Sequence, residues 1–312
     1  MSGDNDMKKT VHIIMASYNG EKYLEEQLDS LLGQTCQDIS VEVCDDGSAD
    51  RTCDIVKQYC SRDHRITLHK NEKNKGYVRN FLEGMQRSDA DYIMLCDQDD
   101  IWDRDKVEVT LHAMQQAEKD GCDQPLMVFT DAVNFDSDTG KDLGRFHENS
   151  HLNTKRLDTA HLFMENKVIG CTVMVNRKVI SYLTEIPQEI RVHDWWLALI
   201  CSHFGRIIYL DRPTLRYRQH SGNMIGGSSF GSYVKDRLAG IRSQREALRL
   251  SYRQGQSFLA IYGDRMTPEQ RETAEKFAGL DSASWFMRRW NVMKYGFTKS
   301  GMMRNAGLFL LL

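Results

Sequence analysis

Short, continuously apolar runs alternate with stretches of helical period through the first hundred or so residues. Val11 to Ala16 (VHIIMA) reads as a buried strand. The polar turn Ser17-Tyr18-Asn19-Gly20 then leads into a helix whose Leu24, Leu28, Leu31 and Leu32 form a stripe at i, i+4, i+7 and i+8. Val41 to Cys44 is a second strand, followed by Asp45-Asp46-Gly47-Ser48 and a helix capped by Ser48 or Asp50, with Ile55, Val56 and Tyr59 on its apolar side. A short third strand, Ile66 to Leu68, precedes a polar loop holding Lys70, Lys73, Asn74, Lys75 and Gly76. A helix with Phe81, Leu82 and Met85 brings the chain to a fourth strand, Tyr92 to Cys96, which runs into Asp97-Gln98-Asp99-Asp100. This alternation predicts a parallel sheet of right-handed βαβ units. Such sheets bind ligands beyond the carboxyl ends of their strands, so Ser17 and Tyr18, Asp45 and Asp46, and Asp97 to Asp100 are expected around one crevice.

Further along, Leu126 to Thr130 reads as a strand with Asp131 at what is expected to be the same edge. Residues 136–160 have little periodicity and are expected to be loops and short elements. Gly170 to Val175 is strand-like, with a glycine where a backbone and a ligand can approach closely. Val192-His193-Asp194-Trp195-Trp196 opens an apolar helical stretch, Ile207 to Leu210 is a further strand, and Arg216-Tyr217-Arg218-Gln219-His220 precedes a glycine-rich loop, Gly222 to Gly231. From Tyr233 onward the pattern is helical.

A chain of 312 residues can bury a large core, and a net charge of −3 with acids and bases interspersed gives no basic field for nucleic acid. Eight cysteines without a CxxC pair suit a reduced, cytoplasmic setting rather than a disulfide framework or a zinc site. The polar start MSGDNDMKKT is not a secretory leader, and no run reaches the roughly 18 apolar residues of a membrane span. Four prolines argue against long linkers, and no internal repeat is present. Neither GxGxxG nor GxxxxGK[ST] occurs, which removes the two commonest phosphate cradles.

Three carboxylates among residues 97–100 repel one another unless a cation offsets them. A hard divalent ion, Mg²⁺ or Mn²⁺, carrying a phosphate would do so. The plainer reading is an acidic loop capping the helix that starts near Asp103 or Asp105. Lys73, Lys75 and Arg79 are the nearest cations for a phosphate, or else a solvated loop. At Asp194 a carboxylate flanked by aromatic rings suits a sugar site, since rings pack on sugar C–H faces and partial desolvation lifts a carboxyl toward general-base range. A helix cap on a core helix is the compatible alternative.

The blocks MASYNG, VCDDGSADRT, LHKNEKNKGYVRNF and LCDQDDIW resemble the nucleotide-sugar-binding half of the family 2 glycosyltransferases, which have the GT-A fold. GCTVMVN, VHDWWLAL and YRQHSGNMIG are similar to the bacterial rhamnosyltransferases that build cell-surface polysaccharides, and the likeness runs over roughly residues 10–227. It implies an α/β chain with a mostly parallel sheet flanked by helices: a catalytic domain over 8–228, divided into a nucleotide half 8–105 and an acceptor half 106–228, then a helical region 229–312. It implies that Ala16, Ser17 and Tyr18 line the nucleotide and that Asp46, or its neighbour Asp45, accepts the pyrimidine N–H. Asp97 and Asp99 match the DxD signature for ribose and metal, His220 completes the ion, and Arg218, with Lys73 and Lys75, offsets phosphate. Asp194 becomes the catalytic base, with His193, Trp195 and Trp196 around the acceptor. The implied donor is dTDP-L-rhamnose with a UDP-hexose as alternative, the acceptor a lipid-linked glycan, and the cofactor Mg²⁺ or Mn²⁺. A nucleotidyltransferase, or a non-catalytic carbohydrate-binding module on the same frame, are the competing classes.

After Asp281 there is no acidic residue, and 285–304 mixes Trp285, Phe286, Trp290, Tyr295 and Phe297 with Arg288, Arg289, Lys294, Lys299 and Arg304. That suits an amphipathic segment on an anionic leaflet at the cytoplasmic face of a membrane, a helix packed on the domain, or a homodimer contact.

Overall fold

A computed structural model of the chain describes residues 10–120, 123–219 and 240–312. The first half holds β1 (Val11–Ser17), α1 (Leu24–Leu32), β2 (Ile39–Asp45), α2 (Thr52–Arg62), β3 (Ile66–Lys70), α3 (Tyr77–Arg87) and β4 (Tyr92–Asp97). All of its strand pairings are parallel, in the order β3-β2-β1-β4, as the alternation predicted. Register does the rest: Ser17 lies opposite Asp45 and Ala16 opposite Asp97, so three strands end level and deliver their polar termini to one edge.

After β5 (Ile101–Trp102) and α4 (Lys106–Lys119) come β6 (Leu126–Asp136), β7 (Asp142–Arg145), α5 (Phe146–Asn149), α6 (Thr159–Met164), β8 (Val173–Asn176), α7 (His193–Phe204) and β9 (Arg206–Gln219). β8 runs antiparallel between β4 and β6, and the sheet continues through β9 to β5. Gly170 to Thr172, expected as strand, is a 3₁₀ turn ahead of β8. β9 is longer than the expected 207–210 because it follows β6 from Leu126 to Asp136, with register shifts near Pro213. Asp131 is consequently inside β6, where Arg145 and His147 hold its buried carboxylate; it does not sit at the cavity edge as expected.

Alternate residues of β1 serve opposite faces, the two-residue period of a strand. Val11, Ile13 and Met15 pack with Leu24, Leu28 and Leu31 of α1, whereas Ile14 joins Phe81, Leu82 and Met85 of α3. The latter core extends into the C-terminal helices α8 (Ile241–Tyr262), α9 (Pro268–Ala278), α10 (Trp285–Tyr295) and α11 (Met302–Leu311), with Phe163 stacked on Phe277 at 4.6 Å between ring centres. The helical tail thus shares a core with the sheet; the expected boundary near residue 228 lies outside the described residues. No helix among them is long and apolar enough to cross a membrane.

Candidate active site

Beyond the level ends of β1 and β4 lies a cavity of about 740 Å³ whose wall includes Ala16, Ser17, Tyr18, Asp46, Asp97, Gln98 and Asp99 on one side and Gly170, His193, Asp194 and Trp195 on the other. Gln98 ties the two strand ends together. It accepts from the Tyr18 N–H (2.9 Å) and donates to the Tyr18 carbonyl (3.2 Å).

The neighbouring acids of the second strand do different work. Asp45 accepts the Gly47 and Ser48 N–H groups and so shapes its own turn. Asp46 reaches the cavity wall and accepts from Asn71 Nδ2 (2.9 Å) and from the N–H groups of Lys75 (2.9 Å) and Gly76 (2.8 Å). Gly76 meets this demand at φ +82°, in the left-handed region. An ionised carboxylate has about four acceptor sites, so one remains for a ligand donor.

Asp97 and Asp99 are half-buried on the wall, and Asp100 is wholly buried beneath them. Burial, then the charges of Asp99 and Asp194, raises the Asp97 carboxyl, and burial with Asp97 and Asp99 raises Asp100 further. Asp100 Oδ1 accepts the Arg218 N–H, while its Oδ2 is buried without a partner among the described residues. Under this loop lies Lys106, a cation absent from the sequence reading. It is fully buried over the Trp102 ring, donates to Thr214 Oγ1 (3.2 Å), and burial draws its pKa down to about 8. Tyr217, also on the wall, has its phenol pushed upward by burial and by the Asp97 carboxylate.

The donor set fits a hard divalent ion. Oxygens of Asp97 and Asp100 and the Cys171 sulfur lie within 4.8 Å of one another. Burial raises the Cys171 thiol well above its usual range, and a hard ion prefers carboxylate oxygens to sulfur, so Asp97 and Asp100 are the donors that suit it. Asp97 belongs to both groupings, and Asp99 shares its cavity wall. His220 lies outside the described residues.

Across the cavity, Asp194 stands in the first turn of α7 and accepts from Asn166 Nδ2 (3.1 Å) and the Trp195 N–H (2.6 Å). Burial pushes its carboxyl up to about 7 against the pull of these bonds and of the Gly170 N–H. His193 stacks on Phe81 at 4.2 Å with both ring nitrogens buried and unpartnered among the described residues, and burial takes its pKa down to about 3, which keeps the ring neutral. A Cβ on Gly170 would lie 2.7 Å from His193 Nε2, so only glycine lets the 170–172 turn close against α7.

Several expected contacts are made differently. Trp195 lines the cavity, but Trp196 is 0 % exposed and packs on Phe258 and Tyr262, because successive residues of a helix point about 100° apart. Lys75 pairs with Glu83 (2.6 Å), as does Arg79; Asn74 and Gly76 form the wall there instead of Lys73 or Lys75. Arg218 is buried, pairs with Glu26, donates to the Asp99 carbonyl (2.6 Å) and lies over Tyr23, so it braces the acidic loop from behind. Among the described residues, the cation on the cavity wall is Arg191, held by Ser251 (2.8 Å) and set over the Trp195 ring. A solitary arginine in a polar loop gave no signal of this in the sequence; nor did Asn166 or Tyr77, which join it on the wall.

Residues 12–183 match the family model described as "Glycosyl transferase family 2". The chain is 29 % identical over 244 residues to dTDP-rhamnosyl transferase RfbG of Shigella flexneri, covering 74 % of this chain and 80 % of that one. It is 32 % identical over 200 residues to the putative teichuronic acid biosynthesis glycosyltransferase TuaG of Bacillus subtilis, covering 63 % and 74 %. Among solved structures, S. aureus TarS 1-349 in complex with UDP-GlcNAc superimposes with a TM-score of 0.57 at 15 % identity, over 86 % of this chain and 70 % of that one. Mannosyltransferase PcManGT of Pyrobaculum calidifontis, in complex with GDP-Man and Mn²⁺, does so with 0.51 at 14 %, over 97 % and 87 %. By family match, relatives and fold together, the chain belongs to glycosyl transferase family 2 and is a glycosyltransferase of the GT-A fold.

Proposed function

We propose that the protein is an inverting, metal-dependent glycosyltransferase that moves L-rhamnose from dTDP-L-rhamnose to a hydroxyl of a surface polysaccharide. The observation carrying this reading is that Asp97, Asp99 and Asp194 share one cavity, with the Asp194 carboxyl pushed up to about 7. The donor rests on the likeness to a dTDP-rhamnosyl transferase.

The nucleotide lies along Ala16, Ser17 and Tyr18, and the open acceptor site of Asp46 takes the pyrimidine N–H. Asp97, with Asp99 beside it on the wall and Asp100 beneath, would hold the divalent cation, which when bound would offset charge on the departing diphosphate. Arg191 adds positive charge to the wall. Asp194 takes the proton of the acceptor hydroxyl, whose oxygen attacks C1 of the donor sugar from the face opposite the diphosphate. The C1–O bond to the diphosphate breaks with its electron pair on the nucleotide, and the configuration at C1 inverts. Trp195 offers a ring edge or face to sugar C–H groups.

A thermal-shift panel of nucleotide sugars with and without Mn²⁺ tests the donor, since a ligand of the native state raises its melting point. Stabilisation by dTDP-L-rhamnose that increases with Mn²⁺ is expected. Stabilisation by UDP-sugars alone would overturn the donor assignment.

A further inference from the structure

The two last helices present an apolar surface that the described residues leave uncovered. Trp285 (66 % exposed), Phe286 (67 %), Trp290 (53 %) and Met293 (69 %) project from α10, and Met302 and Leu310 from α11. Phe286, Trp290 and Met293 recur at i, i+4 and i+7, one face of the helix, while Asn291 and Val292 face the core. Leu308 and Leu312 likewise turn inward from α11. Soluble surfaces seldom leave such aromatic and methionine clusters open without a partner.

Charge identifies the partner. Residues 282–312 contain Arg288, Arg289, Lys294, Lys299 and Arg304 and no acid; Arg304 is paired with Glu165, so the rim's positive charge comes from Arg288, Arg289 and Lys294. Arg288 and Arg289 bind the carbonyls of Leu312 (3.3 Å) and Phe309 (2.9 Å), fastening α10 to the end of α11, and Lys294 is exposed beside Met293. A second copy of this chain meeting the face head-on would set one basic rim against another. An anionic bilayer complements both features: aromatic side chains settle at the headgroup level and the basic rim meets lipid phosphate. The surface is also fixed to the site. Arg304 pairs with Glu165 (2.8 Å) and the Ser300 N–H donates to the same carboxylate, one residue from the Asn166 that holds Asp194.

We infer that α10 and α11 form a docking face for the surface of an anionic phospholipid bilayer, lying on it rather than crossing it. The inference stands apart from the choice of donor. Its test uses the full chain without nucleotide sugar, co-sedimented with phosphatidylglycerol–phosphatidylcholine vesicles or with phosphatidylcholine alone. Pelleting with the anionic vesicles, weakened by salt and at least tenfold lower for the neutral ones, is expected. The variant Phe286→Ser/Trp290→Ser/Met293→Ser, altered only at exposed positions, should lose pelleting at least tenfold with its melting temperature unchanged, and Lys294→Glu should weaken it. A wild-type chain that stays in the supernatant with anionic vesicles, or a triple variant that pellets as well as wild type, would overturn the inference. So would a concentration-dependent dimer that the triple variant abolishes while vesicles bind nothing. Because no substrate is present, none of these outcomes bears on the transferase reading.

Discussion

Asp194 shows how a single side chain can be placed for chemistry at a cost to stability. Its carboxyl is lifted by burial to about 7, so as a base it is charged, and active, only above that value. The pH profile of kcat/KM, which reports groups of the free enzyme, should rise along an acid limb with a midpoint near 7 and level off above it. A limb near the ordinary aspartate value of about 4 would remove Asp194 from the base role. The same shift has a sign for folding. A raised acid favours the native state below its ordinary pKa, and that contribution is lost as pH rises through the folded value, at about 1.4 kcal/mol per unit of displacement. Asp194→Asn should therefore melt above wild type at pH 8, with the gain shrinking toward pH 4, as scanning fluorimetry at the two pH values would show. That Asp194 stands on a cavity wall was legible in the sequence because a lone acid among His193, Trp195 and Trp196 is rare company for a carboxylate. Which tryptophan faced the cavity was not, since adjacent letters on a helix carry no orientation until a neighbour such as Phe258 claims one of them.

Among elements, β1 and β4 were readable because both of their faces are buried, which leaves continuous apolar runs in the sequence; β2 (ISVEVCD) and β3 (ITLHK), nearer the sheet's edge, show shorter runs mixed with polar residues. β9 was readable only in part. Its RIIYLDRPTLRYRQ mixes arginines and a proline into a strand whose length is dictated by β6 alongside it. Ion pairing was the least legible property: Lys75 and Arg218 look like phosphate ligands until Glu83 and Glu26 arrive beside them from other parts of the fold. α7 divides its two tryptophans between support and site, and this can be measured. Trp196→Ala should cost about 3–5 kcal/mol in denaturant unfolding, with acceptor KM unchanged wherever the variant is folded. Trp195→Ala should raise acceptor KM. A Trp196 variant of normal stability, or one with altered KM, would contradict its assignment to the core.

At the scale of the whole molecule, the cavity exists because a parallel half and a mixed half meet at β4 and β8, with Asp97 and Asp99 on one and Asp194 on the other. The C-terminal helices complete the core behind Trp196 and brace the Asn166 wall through Glu165, Ser300 and Arg304, so the tail supports the site as well as carrying the proposed bilayer face. Division of labour across the cavity is the central claim, and Asp194→Asn tests it most directly when transfer rate and donor affinity are measured on the same preparation. The account predicts that kcat falls by about 10²–10⁴-fold while donor binding stays within about twofold, since a general base contributes on that scale and does not hold the nucleotide. Loss of donor binding with the rate, or a variant that transfers sugar as fast as wild type, would contradict it.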